Sequence, residues 1–253
     1  MAQKALITGA SSGIGKELAM VMAENGHDLV LVARKKKDLE KVKDEIAEFS
    51  DVKVSVYESD LAQPGSGKKL YDQTKKENIE ILVNNAGVGY KGNFFDDDLE
   101  RHQQLVQLNM TTLMDLSFYF GGDFVKAGSG RILNTTSIVA FLPGPAQPTY
   151  YASKAFVRSL SRTLAYNLRN ADVTVTALHP GVTRTGFFDA SNASFMKNQG
   201  ASPRSVAELG YKAMMAGKVE VTHGLWNKFL TNVFVRITPY RLHAPIVDRA
   251  SEV

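Results

Sequence analysis

Short runs of apolar, largely β-branched residues recur along the chain, each followed by a longer segment in which apolar positions return with helical spacing. The runs predict strands at Lys4–Thr8, Asp28–Ala33, Val52–Ser59, Glu80–Asn84, Gly130–Thr136, Val173–His179 and a short Val219–Thr222. The segments between them predict helices near Ile14–Asn25, Lys37–Phe49, Pro64–Asn78, Leu99–Lys126, Thr149–Arg169 and Pro203–Gly217. A strand that is apolar at consecutive positions must be covered on both faces. The alternation therefore predicts an α/β protein with a seven-stranded parallel sheet and helices on both faces. No repeat, low-complexity tract or linker interrupts it, so residues 1–253 read as a single domain.

Composition narrows the chemistry. The 253 residues include no cysteine, which excludes a disulfide framework, a thiolate zinc site, an iron–sulfur cluster and a cysteine nucleophile. The 30 Lys and Arg against 26 Asp and Glu leave a formal charge of +4, too mild to indicate a nucleic-acid partner unless it is clustered. Met1-Ala2-Gln3-Lys4 runs directly into a strand, with no signal-peptide pattern, and no stretch approaches the roughly 20 apolar residues of a membrane span. The expectation is a soluble cytoplasmic protein without a transmembrane segment.

Thr8-Gly9-Ala10-Ser11-Ser12-Gly13-Ile14-Gly15 joins the first strand to the first helix. Glycines at such a turn let the backbone approach a pyrophosphate lying on the helix N-terminus, where free N–H groups and the helix dipole favour negative charge. The phosphate loop of NTPases does not fit, because Ala10 stands where it needs Gly and Glu17 where it needs Ser or Thr. Gly9-Ala10-Ser11-Ser12-Gly13 also matches the nucleophile elbow of α/β-hydrolases. None of His27, His102, His179, His223 or His243 is singled out as a triad partner, but a hydrolase remains an alternative, as does a turn with no ligand.

Tyr150-Tyr151-Ala152-Ser153-Lys154 sets Tyr150 and Lys154 four residues apart, on one helix face. A phenol with its ordinary pKa near ~10 needs its anion stabilised by roughly 4 kcal/mol to act as acid or base at neutral pH, and a nearby ammonium does this. Alone, such a pair is also an ordinary solvated helix contact.

Taken in order, the motifs resemble those of the short-chain dehydrogenase/reductase family over nearly the whole chain. They are the glycine turn at Thr8–Gly15, Asn84-Asn85-Ala86-Gly87 after the fourth strand, Asn109 on the long helix, Ser137 after the fifth strand, Tyr150 and Lys154 thirteen and seventeen residues later, and Pro180-Gly181-Val182-Thr183-Arg184-Thr185 after the sixth. The resemblance implies a doubly wound Rossmann fold and an oxidoreductase that passes hydride between a nicotinamide and a carbonyl or secondary alcohol. It implies that Tyr150 is the acid/base and that Ser137 binds the substrate oxygen. Lys154 would lower the Tyr150 pKa and hold the ribose, and Asn109 would bind a water linking Lys154 to solvent. Tyr151 is a competing phenol with different spacings, and Tyr150 is preferred. Thr136 should point to the opposite strand face from Ser137, while Thr135 reads as a packed strand residue. A catalytically silent dinucleotide sensor is the rival within the family, although the four catalytic positions are complete.

The same comparison makes Gly9, Ser11, Ser12, Gly13, Ile14, Gly15, Asp60, Leu61, Asn85, Ala86, Gly87, Pro180, Gly181, Val182 and Thr185 cofactor contacts, together with Tyr150 and Lys154. At the end of the second strand the family's acidic, NAD-preferring position falls on Ala33, and Arg34 follows it. A guanidinium pairs with a 2′-phosphate through two hydrogen bonds, so NADP(H) is expected. Ser12 stands where many NADP-preferring relatives carry Lys or Arg; Ser11 or Ser12 would bond the phosphate instead. Lys36 and Lys37 read as the solvated start of a helix.

By resemblance, residues 186–202 form a lid over the substrate. Phe187, Phe188, Phe195 and Met196 there suit either an apolar substrate or simple docking of the lid. In the extension at 224–253, Trp226, Phe229, Leu230, Val233, Phe234 and Ile237 form one helical stripe, with Asn227, Lys228, Asn232 and Arg236 off it and Pro239 ending it. The stripe suits packing over the cleft, a subunit interface or peripheral membrane contact. A bulky apolar ketone, 3-oxoacyl or steroid-like, is the expected substrate. The family implies a homodimer or homotetramer joined through the helices 99–126 and 149–169.

Overall fold

The computed structural model describes residues 3–92, 94–144, 147–187 and 200–239. Seven strands form one sheet: β1 (Lys4–Thr8), β2 (Asp28–Ala33), β3 (Val54–Glu58), β4 (Ile81–Asn84), β5 (Gly130–Thr135), β6 (Val173–His179) and β7 (Glu220–Thr222). Their order is β3-β2-β1-β4-β5-β6-β7 and every pairing is parallel. The order reverses between β1 and β4, so the loops leaving these two strands diverge and open a crevice at their carboxyl ends, where such sheets bind ligands.

Alternation along each strand divides the core. Ala5, Ile7, Leu29, Leu31, Ile81 and Val83 face α1 (Gly13–Glu24), α2 (Lys36–Ala47) and α7 (Pro203–Met215). Leu6, Val30, Val32, Leu82, Ile132 and Val175 face Leu70 of α3 (Ser66–Thr74) and Leu116, Phe120 and Phe124 of α5 (Leu113–Ala127). Leu164, on the long helix α6 (Pro148–Asn167), packs against this second cluster. The residue period of two thus gives each strand one apolar set for each helical layer. This is the doubly wound α/β arrangement expected from the sequence.

The departures are local. The helix expected at 99–126 is α4 (Leu99–Val106), a π turn (Gln107–Thr112) and α5, the extra residue in the turn carrying Asn109. The segment 64–78 holds only α3 and a 3₁₀ turn (Lys75–Glu77). A second 3₁₀ turn, Ile138–Phe141, follows Ser137 directly. In the extension, α8 (Leu225–Phe229) runs into a π turn (Leu230–Phe234) and a last turn at Val235–Ile237. Each inserted residue rotates the following face by about 100° relative to a regular helix. The stripe read from the sequence is also not the buried face, which is offset from it by one residue from the start of α8: Thr231 is buried, Asn227 turns inward, and Trp226 and Ile237 remain 72% and 74% exposed.

Candidate active site

The turn after β1 is shaped by close backbone approach. Gly9 adopts φ of +67°, in the left-handed region that favours glycine, and a Cβ on Gly15 would stand 2.2 Å from the Gly9 carbonyl oxygen. Ser12 precedes α1 without a side-chain cap, so the N–H groups of the first helical turn are not taken by a protein side chain there. Across the crevice, the Thr8 hydroxyl accepts from the backbone N–H of Asn85 and of Ala86, each at 3.0 Å, and donates to the Val83 carbonyl. The Asn85 amide donates to the Thr8 carbonyl at 3.2 Å. These bonds lock the loops leaving β1 and β4 together. The glycine cradle and uncapped helix N-terminus fit the pyrophosphate of a dinucleotide.

One cavity of about 1090 Å³ spans the carboxyl ends of the strands. Gly9, Ser11, Ser12, Gly13, Ile14, Arg34, Asp60, Leu61, Asn85, Ala86 and Gly87 line one side. Ser137, Tyr150 and Lys154 lie in its middle with Pro180, Gly181, Val182 and Thr185. Gly15 lies behind the turn and acts on its shape, being buried. Arg34 is exposed at the rim and has no ion-pair or hydrogen-bond partner among the described residues. The Asp60 carboxylate is occupied locally, accepting from Ala62 N–H and the Gln63 amide.

Lys154 is buried, and its ammonium donates to the Thr135 carbonyl at 3.0 Å. Burial lowers its pKa to about 8. The Tyr150 phenol is pushed up by burial, against which a hydrogen bond with the Ser137 hydroxyl pulls down. Thr135, expected to be a packed strand residue, also donates its hydroxyl to Asn85 Oδ1 at 3.3 Å, tying β5 to the loop after β4. The Thr136 hydroxyl turns instead to His179. Asn109 spends its side chain on structure: its amide donates to the Val88 carbonyl at 2.8 Å and to Ser153, and its oxygen accepts from Val88 N–H. Any part of Asn109 in a water relay therefore falls to its backbone.

Phe187 packs over Tyr150. Its ring lies 5.5 Å from that of Tyr150, and a Cβ on Gly89 would come within 2.8 Å of its Cζ. Phe188, Phe195 and Met196 of the expected lid lie outside the described residues. The far wall is Trp226, Phe229, Leu230 and Phe234. Gly181 is tied to this wall, since a Cβ there would sit 2.2 Å from the Asn227 amide. Neither Gly89 nor Asn227 was singled out by sequence reasoning, because each acts through space it leaves or fills in the fold.

The short chain dehydrogenase family model matches residues 3–194. The chain belongs to the short-chain dehydrogenase/reductase family. It is 31% identical over 196 residues to a 3alpha-hydroxysteroid dehydrogenase of Mediterraneibacter gnavus, covering 76% of this chain and 78% of that one. It is 33% identical over 195 residues to a 3-oxoacyl-[acyl-carrier-protein] reductase of Synechocystis sp., covering 76% and 78%. The solved short-chain dehydrogenase from Sphingobium yanoikuyae in complex with NADPH superposes with a TM-score of 0.84 at 31% identity, over 92% of this chain and 90% of that one. This short-chain dehydrogenase/reductase is thus an oxidoreductase of alcohol and carbonyl groups that uses NAD(P). No helix among the described residues is long and apolar enough to cross a membrane.

Proposed function

We propose that this chain is an NADP(H)-dependent enzyme that interconverts a bulky, apolar ketone and its secondary alcohol. The observation that carries the reading is the meeting of Ser137, Tyr150 and Lys154 in a cavity bounded on one side by the glycine turn and on the other by Trp226, Phe229, Leu230 and Phe234. Nicotinamide, when bound, supplies or accepts the hydride. The Tyr150 phenol gives its proton to the carbonyl oxygen in reduction and takes one from the alcohol in oxidation. The Lys154 ammonium stabilises the phenolate and holds the ribose hydroxyls, and Ser137 donates to the substrate oxygen. Burial of the phenol keeps it protonated before reduction, as an acid requires.

Arg34 supports the preference for NADP(H). It is exposed at the cavity rim beside Ala33, with neither an acidic neighbour at that position nor a described ion-pair partner, and a 2′-phosphate would give it one. Steroid and 3-oxoacyl relatives, together with the aromatic wall, support the apolar substrate class. Exposed Met114, Phe118 and Val125 on α5 and Tyr166 on α6 support assembly as a homodimer or homotetramer through those helices. A cytoplasmic setting and a lid at 186–202 complete the reading.

The test is a carbonyl panel from short aldehydes to 3-oxoacyl thioesters and steroid ketones, followed by loss of NADPH absorbance. Turnover should favour large apolar ketones and NADPH over NADH. Tyr150→Phe should lose nearly all turnover yet still bind NADPH. Turnover retained in Tyr150→Phe would remove the phenol from the acid role, and NADPH binding with no turnover of any carbonyl would favour a silent sensor.

A further inference from the structure

Behind Ser137 lies a buried cluster that the proton-handling residues do not include. His179, the last residue of β6, is fully buried. Its Nε2 meets Glu220 Oε1 at 3.2 Å and its Nδ1 meets the Thr136 hydroxyl. Glu220 also accepts from Arg158 Nε at 2.8 Å, with Arg162 at 3.6 Å. The Arg158 guanidinium lies 3.9 Å from the centroid of the Phe141 ring, and the Phe141 ring meets the His179 ring edge-on at 4.9 Å.

The hydrogen inventory orders this cluster. A carboxylate paired with arginine only accepts, so Nε2 carries a hydrogen toward Glu220, and in the neutral imidazole Nδ1 is the acceptor. In that tautomer the Thr136 hydroxyl donates to Nδ1, while its oxygen also lies 3.5 Å from the Ser137 carbonyl oxygen. Thr136 immediately precedes Ser137, and Phe141 ends the 3₁₀ turn that immediately follows it. Pro180, next after His179, accepts from Ile138 N–H at 2.9 Å and from the Ser137 hydroxyl at 3.5 Å. Arg158 stands one helical turn beyond Lys154 on α6, the helix that also carries Tyr150. The chain on both sides of Ser137 is therefore tied to one imidazole, and that imidazole is tied through Glu220 and Arg158 to the helix opposite.

We propose that His179, oriented by Glu220 and bonded to Thr136, is a positioning residue that holds the Ser137 hydroxyl at its working distance from Tyr150. The proposal rests on the reading of Ser137 and Tyr150 given above. Such a residue acts on the transition state, where the substrate oxygen gains charge, more than on ground-state binding, so its loss lowers kcat and leaves KM largely unchanged.

The test uses the full chain, NADPH and the ketone turned over fastest in the panel. Thr136→Val removes the donor at nearly constant shape and should lower kcat by about tenfold, the worth of one buried hydrogen bond, with ketone KM and NADPH affinity within about twofold. Thr136→Ser should restore kcat. Glu220→Gln, which disturbs the cluster from its solvent side, should lower kcat in the same sense and serves should Thr136→Val fail to fold. A kcat within about twofold of the parent in whichever of the two variants folds would overturn the proposal. So would a loss that Thr136→Ser does not restore. Tyr150→Phe is measured alongside: if it retains turnover the functional reading fails, whereas if it is inactive and Thr136→Val is not impaired, only the positioning role fails.

Discussion

The Lys154 ammonium lies 5.7 Å from the centroid of the Tyr150 ring while donating to the Thr135 carbonyl. One bond aims the cation from β5, and the helix spacing brings the phenol beneath it. Burial lowers the lysine to about 8, so it is an ammonium below that pH and loses its charge as pH rises through it. kcat/KM for reduction, which reports the free enzyme, should hold level below this value and fall above it. Lys154→Met should lower turnover by about 10²-fold or more and abolish that alkaline limb. A limb unchanged in Lys154→Met would assign it to another group.

The proposed NADP(H) preference rests on Arg34 beside Ala33 and should be reversible. If Arg34 pairs with a 2′-phosphate as proposed, Arg34→Asp replaces that cation by a carboxylate that would repel the phosphate and accept from a ribose hydroxyl. NADPH affinity should fall by about tenfold to a hundredfold, with NADH affinity unchanged or improved. The two dissociation constants, read from fluorescence titration, decide it: an unchanged ratio removes Arg34 from 2′-phosphate recognition.

Gly15 has no room for a side chain, since its Cβ would lie 2.2 Å from the Gly9 carbonyl and 2.4 Å from the Asn85 amide. Gly15→Ala must push the glycine turn away from the loop after β4, breaking the lock made by Thr8 and Asn85. NADPH binding should be lost and stability reduced by about 1–3 kcal/mol, the usual cost of overpacking. Parent-like NADPH affinity would mean that the turn can relax without losing its shape.

Where spacing and chemistry coincide, the residues announced themselves. β1, β2 and β6 run over the expected residues because each is a short β-branched or apolar run ended by a turn, β6 interleaving Thr174 and Thr176 with its apolar residues. Tyr150, Lys154, Ser137 and the glycine turn converge on one cavity because their positions follow from strand ends and helix period. What stayed hidden depends on side chains from distant segments. His179 reads only as the polar last residue of a strand until Glu220, 41 residues on, is brought beside it by the β6–β7 pairing. The π turn at 107–112 that carries Asn109 reads as part of one continuous helix, and Asn227 reads as off the apolar stripe although it lies on the inward face. The single inserted residue leaves no compositional mark.

Acid should weaken the fold through Glu220. Burial alone would raise this carboxyl, but the His179 hydrogen bond and the Arg158 charge outweigh it and hold the group down at about 2, against 4.5 for an ordinary glutamate. A depressed carboxyl stabilises the fold fully above its unfolded value and loses that contribution as pH falls through the folded value. Glu220→Gln should therefore lower Tm at pH 7, and its gap from the parent should narrow as pH falls from about 4.5 toward 2. A gap constant across that range would show that the carboxylate charge does not stabilise the fold.

Trp226 and Phe229 stand at the cavity wall yet are 72% and 46% exposed, so the folded chain gains little from covering them. An apolar substrate lying against this wall would bury the area that the protein leaves open. Covering one such ring contributes about 1–2 kcal/mol, or about 5- to 30-fold in binding. Trp226→Ala and Phe229→Ala should therefore raise KM for steroid or long 3-oxoacyl ketones by this factor, with Tm nearly unchanged. A short ketone does not extend beyond Tyr150 and Phe187, and its kcat/KM should stay within about twofold of the parent. Equal losses for long and short ketones would mean that the wall shapes the catalytic centre itself, and no loss for either would show that these rings do not contribute to substrate binding.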